Sequence, residues 1–206
     1  MVKMMRHSRI IFTKIAREDL SSTMNNHNFW QGERVRLRAV EPEDWIIFNQ
    51  WDLDTETARD CYWIPFPKSQ EAARKWALDL SLTAPEGDVF RFVIENLEGE
   101  FVGTINTHDC VPRNGTFSYG LAIRREYQRQ GYASEAIRLV LRYFFQELRY
   151  QKCTVGVYDF NLVSIKLHEN LGFQHEGRLR RIYFSGGEYH DGINLGMTRE
   201  EFEERG

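Results

Sequence analysis

A chain of 206 residues with 42% hydrophobic content can bury one substantial core, and that length favours one domain over two. Lys and Arg total 27 against 30 Asp and Glu, a net charge of −3, which excludes the strongly basic field of a nucleic-acid binder, so no nucleic-acid partner is expected. Cys61, Cys110 and Cys153 are odd in number and form no CxxC pair; with no HExxH spacing among the histidines, neither a disulfide framework nor a metal is expected, and the setting is expected to be reducing and cytoplasmic.

Residues 1–28 are expected to form an N-terminal arm, with Met24 as an alternative start, and the domain is expected over 29–206. No apolar run approaches the roughly 20 residues needed to cross a bilayer, so no membrane partner is expected. From Arg34 onward, Val35, Leu37 and Ala39 alternate with Arg34, Arg36 and Arg38, the period-two signature of a half-buried strand. EPEDW at 41–45 puts Pro42 at a first helical position beside acids, and predicts a helix to about Gln50. CYWIPFP at 61–67 breaks helix with two prolines and sets Tyr62 and Trp63 in a loop suited to core packing or to a substrate rim. Ser69 then caps a helix running to Leu82, before Pro85 and Gly87.

Three strand-like runs follow, DVFRFVIEN, EFVGTINTHDC and TFSYGLAIR, separated by LEG and VPRNG; these short connections predict an antiparallel meander. Ala133, Ile137, Val140, Phe144 and Leu148 recur at steps of three and four, which predicts an amphipathic helix over 131–149. KCTVGVY at 152–158 returns to strand. NLVSIKLHENLGF predicts a helix capped by Asn161 and closed by Gly172 in a left-handed conformation. Two last strands, around 173–184 and 188–198, are joined through Ser185-Gly186-Gly187.

QRQGYASEA at 128–136 stands where the amphipathic helix begins. The first N–H groups of a helix lack internal partners and sit at the positive end of its dipole, so they bind phosphate oxygens. Gly131 lets the backbone approach such a ligand, the small Ala133 leaves room for it, and Gln128, Arg129 and Gln130 can add donors. Neither a Walker loop nor GxGxxG is present. On the next helix Asn161, Ser164 and His168 fall at steps of three and four and share one stripe; singly, they read equally well as a cap, a surface serine and a solvated histidine.

QRQGYA, then KCTVGVY, then NLVSIKLHENLGF, in that order, resemble the core motifs of the Gcn5-related N-acetyltransferases (GNAT), and the element order from Arg34 matches as well. The closing stretch EGRLRRIYFSGGEYHDGINLGM resembles the branch that acetylates protein N-termini, the ribosomal-protein-alanine (RimJ/RimL) type, and also spermidine acetyltransferases. The resemblance implies an α/β (α+β) fold with a mixed, mostly antiparallel central sheet of about seven strands, splayed in the middle and flanked by four helices. It implies acetyl-CoA as co-substrate, with Leu121, Ala122 and Ile123 holding the pantetheine, Gln128, Arg129, Gln130, Gly131, Tyr132 and Ala133 the pyrophosphate, and Asn161 the pantetheine arm. Trp45, Tyr62, Trp63 and Tyr119 would border the amine acceptor.

The reaction so implied is direct attack of a neutral amine on the thioester, which needs a base for the amine and an acid for the departing thiolate. Relatives place a tyrosine four residues after the Ser164 position; here that residue is His168, so the acid is Ser164 or His168, with Ser164 preferred. His108, Glu95 and Tyr119 are open as bases. An α-amine of pKa near 7.8 is roughly 15% neutral at pH 7, against below roughly 0.1% for a lysine-type amine, so a weak base suits a protein or peptide N-terminus. The alternatives are a small-amine (polyamine, aminoglycoside or amino-acid-like) acetyltransferase and an acyl-CoA-sensing module without turnover. An assembly role for the aromatic loop and final hairpin, such as a homodimer, is compatible with each.

Overall fold

The structure, a computed structural model, describes residues 28–61 and 64–205. The arm expected over 1–28 therefore lies, apart from Asn28, outside the described residues, as do Tyr62 and Trp63. The chain opens with strand β1 (Val35–Arg38), a 3-10 turn at Pro42–Asp44, helix α1 (Trp45–Trp51), helix α2 (Thr55–Cys61) and helix α3 (Gln70–Ser81). The meander follows as β2 (Arg91–Asn96), β3 (Phe101–Val111) and β4 (Thr116–Ile123), then helix α4 (Tyr132–Gln146), β5 (Lys152–Tyr158) and helix α5 (Leu162–Leu171). A hairpin of β6 (Gln174–Ser185) and β7 (Glu188–Thr198) leads into a short helix α6 (Arg199–Glu203).

Local chemistry accounts for these boundaries. The Asp44 carboxylate accepts from the Glu41 N–H at 2.8 Å, with Pro42 at the first helical position, and Ser69 Oγ accepts from the Ala72 N–H at 3.1 Å to start α3. The 185–188 turn takes Gly186 and Gly187 at φ 61° and 90°, the all-positive pair that a two-residue hairpin needs. Helix α4 stops at Gln146, short of the expected Arg149, because Arg149 turns to φ 61° and the Tyr150 N–H bonds back to Phe144 O.

Two short helices, α2 and α6, add to the four expected. Helix α2 is held by its Asp54 cap: the carboxylate accepts from the Thr57 N–H at 3.2 Å and from Thr57 Oγ1 at 2.6 Å. Helix α6 carries a capping box between Thr198 and Glu201.

The seven strands form one sheet in the order β1-β2-β3-β4-β5-β7-β6. Every neighbouring pair is antiparallel except β4 with β5, which is parallel and pairs only at Thr116↔Lys152 and Phe117↔Cys153. Strand alternation sends Phe92, Ile94, Ile105, Phe117 and Tyr119 into the core under α4, where Phe117 stacks on Phe144 with ring centroids 4.0 Å apart. Val93 and Phe101 pack on the other face with Val40 and Ala77, against Trp45, Phe48 and Trp51 of α1. Each large side chain so buried contributes about 1.5–3 kcal/mol. Both faces are thus covered, and the central strands β4 and β5 diverge after two paired residues. Among the described residues no helix is long and apolar enough to cross a membrane.

Candidate active site

Beyond Phe117 the two central strands part, and the gap between them opens a cleft of about 740 Å³. Leu121, Ala122 and Ile123 line it from β4, and Val155, Gly156 and Val157 from β5. On its other side β4 stays fully paired with β3, for example Ile105↔Leu121 and Gly103↔Ile123. The β5-facing edge of residues 118–122 therefore has main-chain groups available to an amide-bearing ligand, while Ile123 O already accepts from Gln128 Nε2 at 3.3 Å.

The N-terminus of α4 closes one end of the cleft. Gly131 caps it at φ 84°, with no side chain bonded to the free N–H groups, and Arg129 precedes it at φ 62°. The first helical hydrogen bond runs from the Glu135 N–H to Gly131 O at 3.2 Å, which leaves the amides of Tyr132, Ala133 and Ser134 without helical carbonyls. Gln128, Arg129, Gly131, Tyr132 and Ala133 all line the cleft. Gln130 does not: its Nε2 donates to Glu126 O at 3.3 Å, and its carbonyl accepts from Arg34 Nη1 at 3.3 Å.

The helix start is also braced from β1. The Glu135 carboxylate accepts the N–H groups of Glu33, Arg34 and Val35, each at 2.8 Å. The Arg34 side chain lies 3.5 Å from where a Gly131 Cβ would sit. These contacts fit a phosphate-bearing ligand at α4, because the chain's own acid is drawn off to β1 and leaves the helix N-terminus to an anion.

Helix α5 forms the facing wall. Asn161 caps it by accepting the Ser164 N–H at 3.0 Å, and its Nδ2 donates to Asp60 O at 3.0 Å. The expected pantetheine contact thus belongs to a side chain that also ties α5 to α2. Through this tie Thr57 and Asp60 of α2 line the cleft. A second tie is Arg125 Nη2, at 3.0 Å from Asp54 and 2.8 Å from Glu56. Burial pushes the Asp60 carboxyl up, against the pull of Arg125.

At the base of the splay stand Tyr119, Ser164 and His168, all on the cleft. His168 is 4% exposed. Its Nδ1–H donates to Ser164 O at 2.7 Å, while Ser164 Oγ is 3.5 Å from the same nitrogen. His168 Nε2 and Tyr119 Oη are buried without partners, and the two rings stack at 5.9 Å and 24°. Burial lowers the pKa of His168 and drives Tyr119 well above the ordinary range. A neutral imidazole with its one N–H committed has no proton to give, whereas Ser164 Oγ–H is free to turn to a ligand.

Trp45 stands elsewhere: it packs in the cluster on the opposite face under the Arg74 guanidinium, 4.8 Å away, and does not line the cleft. Glu95, open above as a base, is buried at 7% exposure and its carboxylate is held by Arg36 and by Arg38 Nε at 2.9 Å, which rules out that role. His108 and Asp109 lie together on the cleft wall. Tyr183 and Asn194 reach it from the final hairpin, which no local motif signals. Among the described residues no group of His, Cys, Asp or Glu could hold a metal ion.

A family model described as an acetyltransferase (GNAT) domain matches residues 34–174. The chain is 48% identical over 175 residues to the SPbeta prophage-derived uncharacterized N-acetyltransferase YokL of Bacillus subtilis, covering 85% of this chain and 96% of that protein. It is 27% identical over 168 residues to the spermidine N(1)-acetyltransferase of Escherichia coli, covering 82% and 88%. Its fold superposes on the crystal structure of spermidine N-acetyltransferase from Vibrio cholerae in complex with CoA and spermine, with a TM-score of 0.71 at 22% identity over 84% of this chain and 99% of that one.

Proposed function

The chain belongs to the GNAT acetyltransferase family and is an acetyl-CoA-dependent N-acetyltransferase; from that premise we propose that its acceptor is the α-amino group of a peptide or protein. The observation that carries the proposal is the sparse set of bases in the cleft: its lining holds no lysine, the buried His168 imidazole is kept neutral, the carboxylates are Asp60 and Asp109, and the one exposed imidazole is His108, paired with Asp109. An amine already roughly 15% neutral at pH 7 needs little help to attack; a polyamine amine, below roughly 0.1% neutral, needs far more. The free thiols Cys110 and Cys153 suit action in the reducing cytoplasm.

In this reading the α4 amides with Gly131 and Arg129 hold the pyrophosphate, and the open edge of residues 121–122 takes the pantetheine as an added strand. The acceptor amine attacks the thioester carbon; the N–C bond forms, the C–S bond breaks, and the electron pair stays on sulfur. Ser164 Oγ–H supplies the proton that the sulfur needs, since the His168 proton is committed to Ser164 O. His168 in turn fixes the turn of α5 that carries Ser164.

A second acceptor, a polyamine, is favoured by the Asp60 and Asp109 carboxylates on the cleft and by the relatives named for spermidine. The two separate in one assay: acetyl-CoA with a peptide of free N-terminus, the same peptide blocked, or spermidine, following thiol release. Faster turnover of the free peptide than of both others is expected; a preference for spermidine would overturn the peptide reading.

A further inference from the structure

We propose that His108 is the base that takes the proton from the acceptor amine, with Asp109 as its positioning residue; the assignment rests on the acetyl-transfer reading of the cleft. His108 sits on β3 opposite Ser118 of β4, followed along the ladder by Asn106↔Gly120 and Thr104↔Ala122. Phe117 and Tyr119 turn into the core under α4, so strand alternation puts Ser118, Gly120 and Ala122 on the other face, beside the His108 ring. The Asn106 amide covers Gly120, its Oδ1 3.1 Å from where a Cβ would sit, and His108, Ser118 and Gly120 all line the cleft.

The pair is built for one tautomer. His108 Nδ1 lies 2.9 Å from Asp109 Oδ2, and an ionised carboxylate only accepts, so the proton is on Nδ1 and the lone pair is on Nε2. The backbone is bent to achieve this. Asp109 takes φ 49° at the register break between His108 and Val111, a left-handed conformation that aspartate, with its short polar side chain, adopts more readily than most residues. A carboxylate turned by its own backbone onto the neighbouring imidazole is what a positioning role requires.

Three other titratable groups of the cleft are less suited to the role. His168 has its lone pair sealed in the interior, Tyr119 is buried and holds its proton, and Asp60 is an exposed carboxyl with no imidazole beside it. The His108 side chain is 45% exposed, so its Nε2 can take a proton from an entering amine and release it to water. The proton balance closes: the amine proton leaves through His108 to solvent, the departing sulfur gains one from Ser164 Oγ, and that hydroxyl regains its proton from water entering the cleft.

The test uses the full-length protein with His108→Gln, His108→Ala and Asp109→Asn, assayed on whichever amine the wild type acetylates and paired with CoA binding. For His108→Gln, kcat is expected to fall on the order of 100-fold, with CoA affinity and acceptor KM unchanged. Added imidazole is expected to restore part of the His108→Ala rate. Asp109→Asn, whose amide can donate to Nδ1 and reverse the tautomer, is expected to lose about 10–100-fold in kcat. A wild-type kcat in His108→Gln, or a loss traced wholly to weaker CoA binding, would overturn the assignment alone. A wild type that binds CoA but acetylates no amine would overturn it together with the transfer reading.

Discussion

His168 gives its Nδ1–H to the carbonyl of Ser164 at 2.7 Å, one turn back on α5, and its other nitrogen has no partner in the interior. The bond decides the tautomer, and burial decides the charge: the imidazole is neutral in the folded chain, with its pKa lowered from 6.5.

The pH dependence of stability follows. Between the lowered folded value and 6.5 the unfolded chain binds more protons than the folded one, so stability rises with pH there and falls on acidification. The stabilising effect is complete above about 6.5 and is lost as pH drops toward the folded value. Melting curves of the wild type and of His168→Gln, uncharged at every pH, are expected to diverge below pH 6.5, the wild type losing more. Parallel curves would show that the site does not disfavour the charged ring.

Tyr119→Phe removes a buried hydroxyl with no hydrogen-bond partner and leaves its ring stacked on His168. An unmade buried hydrogen bond is a cost, so the variant is expected to match the wild type in denaturant stability or to exceed it by about 1 kcal/mol. A loss of stability would reveal a partner for the hydroxyl in the folded protein.

Gly131→Ala leaves the space around residue 131 tolerable, the nearest atom being in the Arg34 side chain at 3.5 Å, but forces a Cβ onto φ 84°. That strain is about 1 kcal/mol. Relieving it would tilt the first turn of α4, so calorimetry should find CoA bound at least about fivefold more weakly. Equal affinity would show that the left-handed turn is not used for the pyrophosphate.

Glu135→Ala removes the acceptor of three N–H groups of residues 33–35. Water replaces part of these bonds at the exposed residues, and a loss of about 1–2 kcal/mol in chemical denaturation is expected. Glu135→Gln, which keeps an acceptor oxygen, should fall between; equal losses in the two variants would point to the charge alone.

The strands and long helices were legible because their signals are local: period-two runs, steps of three and four, and caps at Ser69 and Asn161 that bond as expected. What escaped depends on register or on backbone strain. TETARDC carries no apolar period, since α2 is held by Asp54 and by ties to Arg125 and Asn161. Glu95 reads as an open acid until pairing of β1 with β2 brings Arg36 and Arg38 onto it. Trp45 lies next to the expected helix start, yet only the packing of α1 shows which face of the sheet it covers. His108 is open as a base in the sequence, but its pairing with Asp109 is not legible there; the bulge that turns one onto the other has no glycine to announce it.

The parting of β4 from β5 leaves residues 118–122 without a neighbour on one side, in the middle of the sheet. Bare strand edges are where β-proteins recruit other chains, and natural sheets normally keep them at the margin and guard them with charge. Here the bare edge is internal, and an acyl donor laid along it, as proposed above, would take the place of an eighth strand in a sheet of seven. On that proposal, resistance to aggregation and occupancy by the acyl donor become one property, and the loaded chain is the better guarded one.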